Sequence, residues 1–207
     1  MYLDQPLQHY LDDLASSKAT PGGGSASALS GAMGAALASM VARLTVDKTG
    51  YEEVQDEVKS IIQQTENLRL RFQELIQADI QAYEQLSACF KLPHSTDEEK
   101  ANRAKAIQER LVDAALVPLD MVERAVELVQ LCQRIAEIGN VNVISDIAAG
   151  SMLASSTGAS ASWMVRVNMR AMKDLEMVNA LSTRLTSALD SISEGNQRVT
   201  AIVGGRA

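Results

Sequence analysis

Apolar positions recur along this chain at steps of three and four residues, the spacing of one face of an α-helix. Leu3, Leu7, Tyr10, Leu11 and Leu14 predict a first helix over 3–16. Pro21-Gly22-Gly23-Gly24 interrupts the pattern, Ser25 is a good N-cap, and a second helix is expected from there to about Val46. A third and unusually long helix is expected from Glu52 to Phe90. Its stripe is Val54, Val58, Ile61, Thr65, Leu68, Phe72, Leu75, Asp79, Tyr83, Leu86 and Phe90. Leu92-Pro93-His94-Ser95 ends it. Thr96 and Glu99 then form a capping box that opens a fourth helix toward Ile138, with a bend expected near Pro118. Gly139-Asn140 is a stop, and further helices follow from about Val143. No period-two alternation competes anywhere. The pattern therefore predicts an all-α, single-domain bundle of long helices over residues 1–207.

Composition sharpens this picture in three places. Residues 19–42 and 147–165 carry no charge, and each run is long enough to span a bilayer. However, 18 of the first 24 and 13 of the second 19 residues are Ala, Gly, Ser or Thr. That is too little large aliphatic content for insertion, so both runs are expected as closely packed helices and no membrane partner is expected. The net charge of -7 argues against nucleic acid as a partner. Residues 1–14 are amphipathic and acidic, unlike a signal peptide, and Cys89 and Cys132 form no C-x-x-C pair. A reducing, cytoplasmic setting is the expectation.

Candidate chemistry begins with Asp79, a carboxylate on a stripe otherwise apolar except for Thr65. Burying it costs several kcal/mol unless something compensates. Two readings stand side by side: a structural acid paired with an arginine of another helix, or a general acid–base in a cleft of the bundle. The Thr20–Ser25 loop is the second candidate. Its glycines Gly22, Gly23 and Gly24 free the backbone to approach a ligand at a helix N-terminus, and a plain helix-breaking loop explains it equally well. In the third candidate, the 139–146 connection, Asn140 and Asp146 are placed to orient a polar substrate or to serve as cap residues. Asn168 follows the second small-residue run. His9 and His94 are far apart in the sequence and the cysteines belong to different helices, so no metal site is expected.

Taken together these segments resemble the formimidoyltetrahydrofolate cyclodeaminase / methenyltetrahydrofolate cyclohydrolase family over almost the whole chain. Thr20-Pro21-Gly22-Gly23-Gly24-Ser25 and the small-residue helix down to Leu44-Thr45 carry the most specific likeness. Lys48 and Tyr51 fit a Lys-x-x-Tyr pattern, and Ala78-Asp79-x-x-Ala82-Tyr83 matches the segment with the family's catalytic aspartate. Leu92-Pro93, Thr96, Glu98-Glu99-Lys100, Arg103, Val117-Pro118-Leu119, Gly139-Asn140 and Ser145-Asp146 match further blocks. In the family's Asn-Val-x-x-Asn segment, Met164 replaces the first amide while Val165 and Asn168 remain. Gln77 stands where some members carry a second acid.

The resemblance implies a helical homodimer, or a larger assembly, acting on the one-carbon group that bridges N5 and N10 of tetrahydrofolate. Asp79 would be the catalytic residue. Gly22, Gly23, Gly24, Ser25, Asn140, Asp146 and Asn168 would contact the folate, with Lys48 set against its glutamate. No cofactor is implied beyond the folate substrate, and a formimidoyltransferase is expected as a separate partner. Cyclodeamination comes first, cyclohydrolysis second, and a non-catalytic helical interaction module is the third reading.

Overall fold

Pro6, rather than Leu3, opens the first helix. The ring removes a backbone donor and biases the preceding residue toward extended backbone, so Tyr2–Asp4 forms a separate 3-10 turn and α1 is only Leu7–Leu14. The computed structural model describes residues 2–206. Five longer helices follow: α2 (Gly23–Arg43), α3 (Gln55–Phe90), α4 (Asp97–Ile138), α5 (Ile144–Met169) and α6 (Leu175–Arg206). There is no β-strand among the described residues, as the periodicity predicts.

Several boundaries differ from expectation for local reasons. α2 begins two residues before Ser25, with extended Gly22 at its N-cap. Ser25 lies inside the first turn, and its hydroxyl donates to the Gly22 carbonyl at 2.9 Å instead of capping. At its other end α2 stops at Arg43, and the chain turns through Asp47, which takes a positive φ of 52°. Glu52–Val54 is a 3-10 turn ahead of α3. The Thr96–Glu99 capping box forms in full, and α4 continues through Pro118 as one helix.

α4 is the central element, packed against α2, α3, α5 and α6, while α2 lies between α3 and α5, and α5 between α2 and α6. Leu119, Met121, Leu128 and Ile135 of α4 are fully buried among Phe72, Leu75, Val41 and Ile147. The small residues of the two uncharged runs let α2 and α5 cross backbone against backbone. A Cβ added at Gly34 would lie 2.9 Å from the Gly150 carbonyl oxygen. By length and composition α2 reaches what a membrane-crossing helix requires, and 61% of that stretch is buried inside the bundle.

Candidate functional site

The α3 stripe changes character at Asp79. Val58, Ile61, Leu68, Phe72 and Leu75 are buried, and buried Thr65 returns its hydroxyl to the Ile61 and Ile62 carbonyls. Beyond that point the same face opens. Asp79, Ala82, Tyr83, Leu86 and Phe90 form one wall of a cavity of about 450 Å³. Leu111 and Ala114 of α4 and Met164, Val167 and Asn168 of α5 form the facing wall, while Thr20 and Gly22–Gly24 close one end. Tyr83 and Phe90, expected in the core, are therefore about half exposed and line the cavity.

Asp79 is partly buried and makes no ion pair among the described residues, which removes the reading of a structural acid paired with an arginine. Its carboxylate instead accepts the backbone N–H of Ser25, in the first turn of α2. Loss of water pushes its pKa up to about 6, and the Ser25 hydrogen bond offsets only part of that. The approach is possible because residue 24 has no side chain: a Cβ there would sit 2.0 Å from Asp79 Oδ1. Tyr10 supports the same turn from behind. It is 4% exposed, and its hydroxyl lies 3.1 Å from Ser25 Oγ. That residue carried no chemical signal in the sequence beyond its place on the α1 stripe.

The predicted site residues fall into two groups. Gly22, Gly23, Gly24, Ser25, Asp79 and Asn168 come together at one end of the bundle. Asn168 donates its amide hydrogens to the Ala114 and Met164 carbonyls, which leaves Oδ1 for the cavity. Lys48, Asn140 and Asp146 lie at the other end, because the 21 residues of α2 separate the two groups by about 30 Å. Within one chain they do not line this cavity, contrary to the expected substrate contacts. Asn140 is 6% exposed and fully engaged. Its amide donates to the Leu44 carbonyl and accepts from Asn142 N–H, and its backbone N–H donates to Thr45 Oγ1. Tyr51, from the Lys-x-x-Tyr pattern, accepts Val141 N–H in the same corner. This is a latch between the ends of α2 and α4.

Among the described residues no three His, Cys, Asp or Glu side chains converge as a metal site would require. Cys132 is buried and its thiol is pushed up to about 12, so it has no nucleophilic role at neutral pH. The chemistry available to the cavity is therefore one carboxylate able to hold or release a proton near neutrality, an amide oxygen, helix N-terminal N–H groups and an apolar wall.

A family model described as formiminotransferase-cyclodeaminase matches residues 6–187. A methenyltetrahydrofolate cyclohydrolase of Methylorubrum extorquens is 39% identical over 95% of this chain and 94% of its own length. A formimidoyltransferase-cyclodeaminase of Mus musculus is 30% identical over 90% of this chain, and the match spans only 35% of that longer protein. Among solved structures, the formiminotetrahydrofolate cyclodeaminase of Thermotoga maritima superposes with a TM-score of 0.90 at 30% identity, covering 99% of this chain and 98% of its own.

Proposed function

Since the chain belongs to the formiminotransferase-cyclodeaminase family, we propose that it is an enzyme of folate one-carbon metabolism, with Asp79 as its general acid–base. The observation that carries this reading is the single carboxylate, with a pKa of about 6, at the polar end of an otherwise apolar cavity. A group so tuned can take a proton in one step and return it in the next at neutral pH.

In cyclodeamination, N10 attacks the carbon of the protonated formimidoyl group on N5 and a tetrahedral carbon forms. Asp79 accepts the N10 proton and delivers it to the departing amine. The C–N bond to that amine breaks, ammonia leaves, and the 5,10-methenyl cation remains. The Asp79 carboxylate stabilises that cation electrostatically. The Thermotoga likeness supports this reaction. The 39% identity to a cyclohydrolase along nearly the whole of both chains supports the second one. There Asp79 takes a proton from water as its oxygen adds to the methenyl carbon. The carbon–N5 bond then breaks as the added hydroxyl releases its proton to solvent and becomes the formyl carbonyl, N5 takes the proton held by Asp79, and 10-formyltetrahydrofolate forms. Both readings place the same carbon beside the same carboxylate. Following the methenyltetrahydrofolate absorbance separates them: a rise with formimidoyltetrahydrofolate identifies cyclodeaminase, and a fall with methenyltetrahydrofolate identifies cyclohydrolase. No change with either substrate removes the enzymatic reading in favour of an interaction module.

The assembly we propose is a homodimer through the outer face of α2 and α5. Met33 and Met40 on α2 and Met152 and Trp163 on α5 are 47%, 37%, 55% and 63% exposed, on runs without a charge. An apolar face of this kind marks a contact surface. It adjoins the cavity, since exposed Val167 belongs to the cavity wall one turn beyond Trp163. In the mouse relative the matched region is part of a longer chain whose name includes a formimidoyltransferase. A formimidoyltransferase is the partner activity we propose for this chain.

A further inference from the structure

Arg103, on the first part of α4, makes no ion pair among the described residues, although the chain carries an excess of acids. Its Nε is buried and has no hydrogen-bond partner, which holds for no other side-chain nitrogen or oxygen buried among the described residues. A buried donor left unpaired costs about 1–3 kcal/mol. Nη1 has no partner among the described residues either, so it is the Nη edge, not the covered Nε, that is left for a ligand. Glu99, one turn earlier, is not a partner for it. Its carboxylate accepts the N–H groups of Ser95 and Thr96 in the capping box.

The position of this guanidinium relates it to the cavity. Nη2 donates to the carbonyl of Phe90 at 3.1 Å, and the side chain of Phe90 belongs to the cavity wall at the end opposite Asp79. Along α3, Asp79 and Phe90 are separated by about 16 Å at 1.5 Å per residue. Ala82, Tyr83 and Leu86 lie between them. The cavity therefore runs from a proton-handling carboxylate, along an apolar wall, to Phe90, and the Arg103 guanidinium, itself outside the lining, is held at that end by the Phe90 carbonyl. A tetrahydrofolate has the matching order: the N5/N10 bridge, an apolar benzoyl ring, then a glutamate with two carboxylates. We propose that Arg103 binds a carboxylate of the substrate's glutamate and so sets the one-carbon bridge beside Asp79. This rests on the folate reading above. An arginine fork holding a carboxylate contributes both affinity and orientation.

The test compares two ligands that differ only at this end, 5-formyltetrahydrofolate and 5-formyltetrahydropteroate, which lacks the glutamate. Binding to the intact chain is measured by calorimetry for wild type, Arg103→Gln, Arg103→Lys and the control Arg110→Gln, whose arginine pairs with Asp113 on exposed α4 surface. Wild type should prefer the glutamate-bearing ligand by about tenfold. Arg103→Gln should lose that preference through weaker binding of 5-formyltetrahydrofolate alone, Arg103→Lys should regain part of it, and Arg110→Gln should match wild type. In turnover with the natural substrate, Arg103→Gln should raise KM and also lower kcat, since the one-carbon bridge is no longer held beside Asp79. Equal weakening of both ligands would assign Arg103 a structural role and overturn the proposal. Equal affinity of wild type for the two ligands would also overturn it, by a measurement that needs no variant to fold, and the folate reading would survive. Failure of wild type to bind either ligand would remove the folate reading itself.

Discussion

Replacing Asp79 by Asn separates the cost of this carboxylate from its use. The amide has nearly the same shape, and its Oδ1 still accepts the Ser25 N–H that the carboxylate accepts now. What disappears is a charge removed from water. The Asp79 pKa, raised from 3.8 to about 6, corresponds to about 3 kcal/mol of destabilisation once the group is ionised. A raised carboxylate pKa gives no penalty below pH 4, where the acid is protonated folded or unfolded. The penalty grows between pH 4 and 6 and is complete above 6. Asp79→Asn should therefore melt higher than wild type at pH 7.5, by several degrees, because 1 kcal/mol moves the midpoint about 2–4 °C in a chain of this size. The gap should close as the pH falls to 4. Over the same range the variant should bind 5-formyltetrahydrofolate normally and lose about 100- to 10,000-fold in kcat, since an amide takes no proton from N10 or water at neutral pH. Differential scanning fluorimetry across pH, calorimetric binding and the methenyltetrahydrofolate absorbance assay supply the three readouts. A lower midpoint that does not depend on pH, or near-normal turnover in a folded variant, would refute this account. The catalytic proton would then have to be handled by another group.

Other consequences can be measured in the same preparations. Wild-type kcat should fall as the pH drops below about 6, because Asp79 becomes protonated and cannot act as a base; a flat profile from pH 5 to 8 would contradict this. Gly24→Ala should displace the Asp79 carboxylate and lower kcat on the order of 100-fold. Gly23→Ala, whose Cβ would meet only the tip of Met164 at 3.6 Å, should stay near wild type. Equal rates for the two variants would show that the carboxylate does not need that approach. Asn140→Ala should cost about 1–3 kcal/mol of stability by breaking the α2–α4 latch, read as a lower denaturation midpoint with little change in KM. A large KM effect at full stability would return Asn140 to the binding site. Met152→Glu, on the uncharged α5 face, should convert a dimer to a species of half the mass by light scattering. An unchanged mass would place the contact elsewhere.

Local chemistry along the chain is enough to predict the helices. The 3.6-residue periodicity, the Thr96–Glu99 box and the Gly139–Asn140 stop are encoded within a few residues, and the α4 termini lie where those signals place them. The ends that moved, at Pro6 and Gly23, are also local. A proline shortened one helix, and glycines were accepted in the first turn of another. Asp79 stood out in the sequence as a charge on an apolar stripe, and the family likeness rests on motifs that survive in order. Sequence order did not reveal which of those motifs meet. Gly24 and Asp79 touch because α2 and α3 pack side by side. Lys48, Asn140 and Asp146 are kept from that cavity by the length of α2, although they belong to the same set of matched blocks. The stripe positions from Tyr83 to Phe90 have core periodicity. They line a cavity because α4 and α5 leave space opposite them, and Arg103 stands beside that space only because α3 ends where α4 begins. Periodicity states which face of a helix is apolar. Whether that face meets a neighbour or a void depends on contacts between residues distant in the chain, and these only the packed bundle decides.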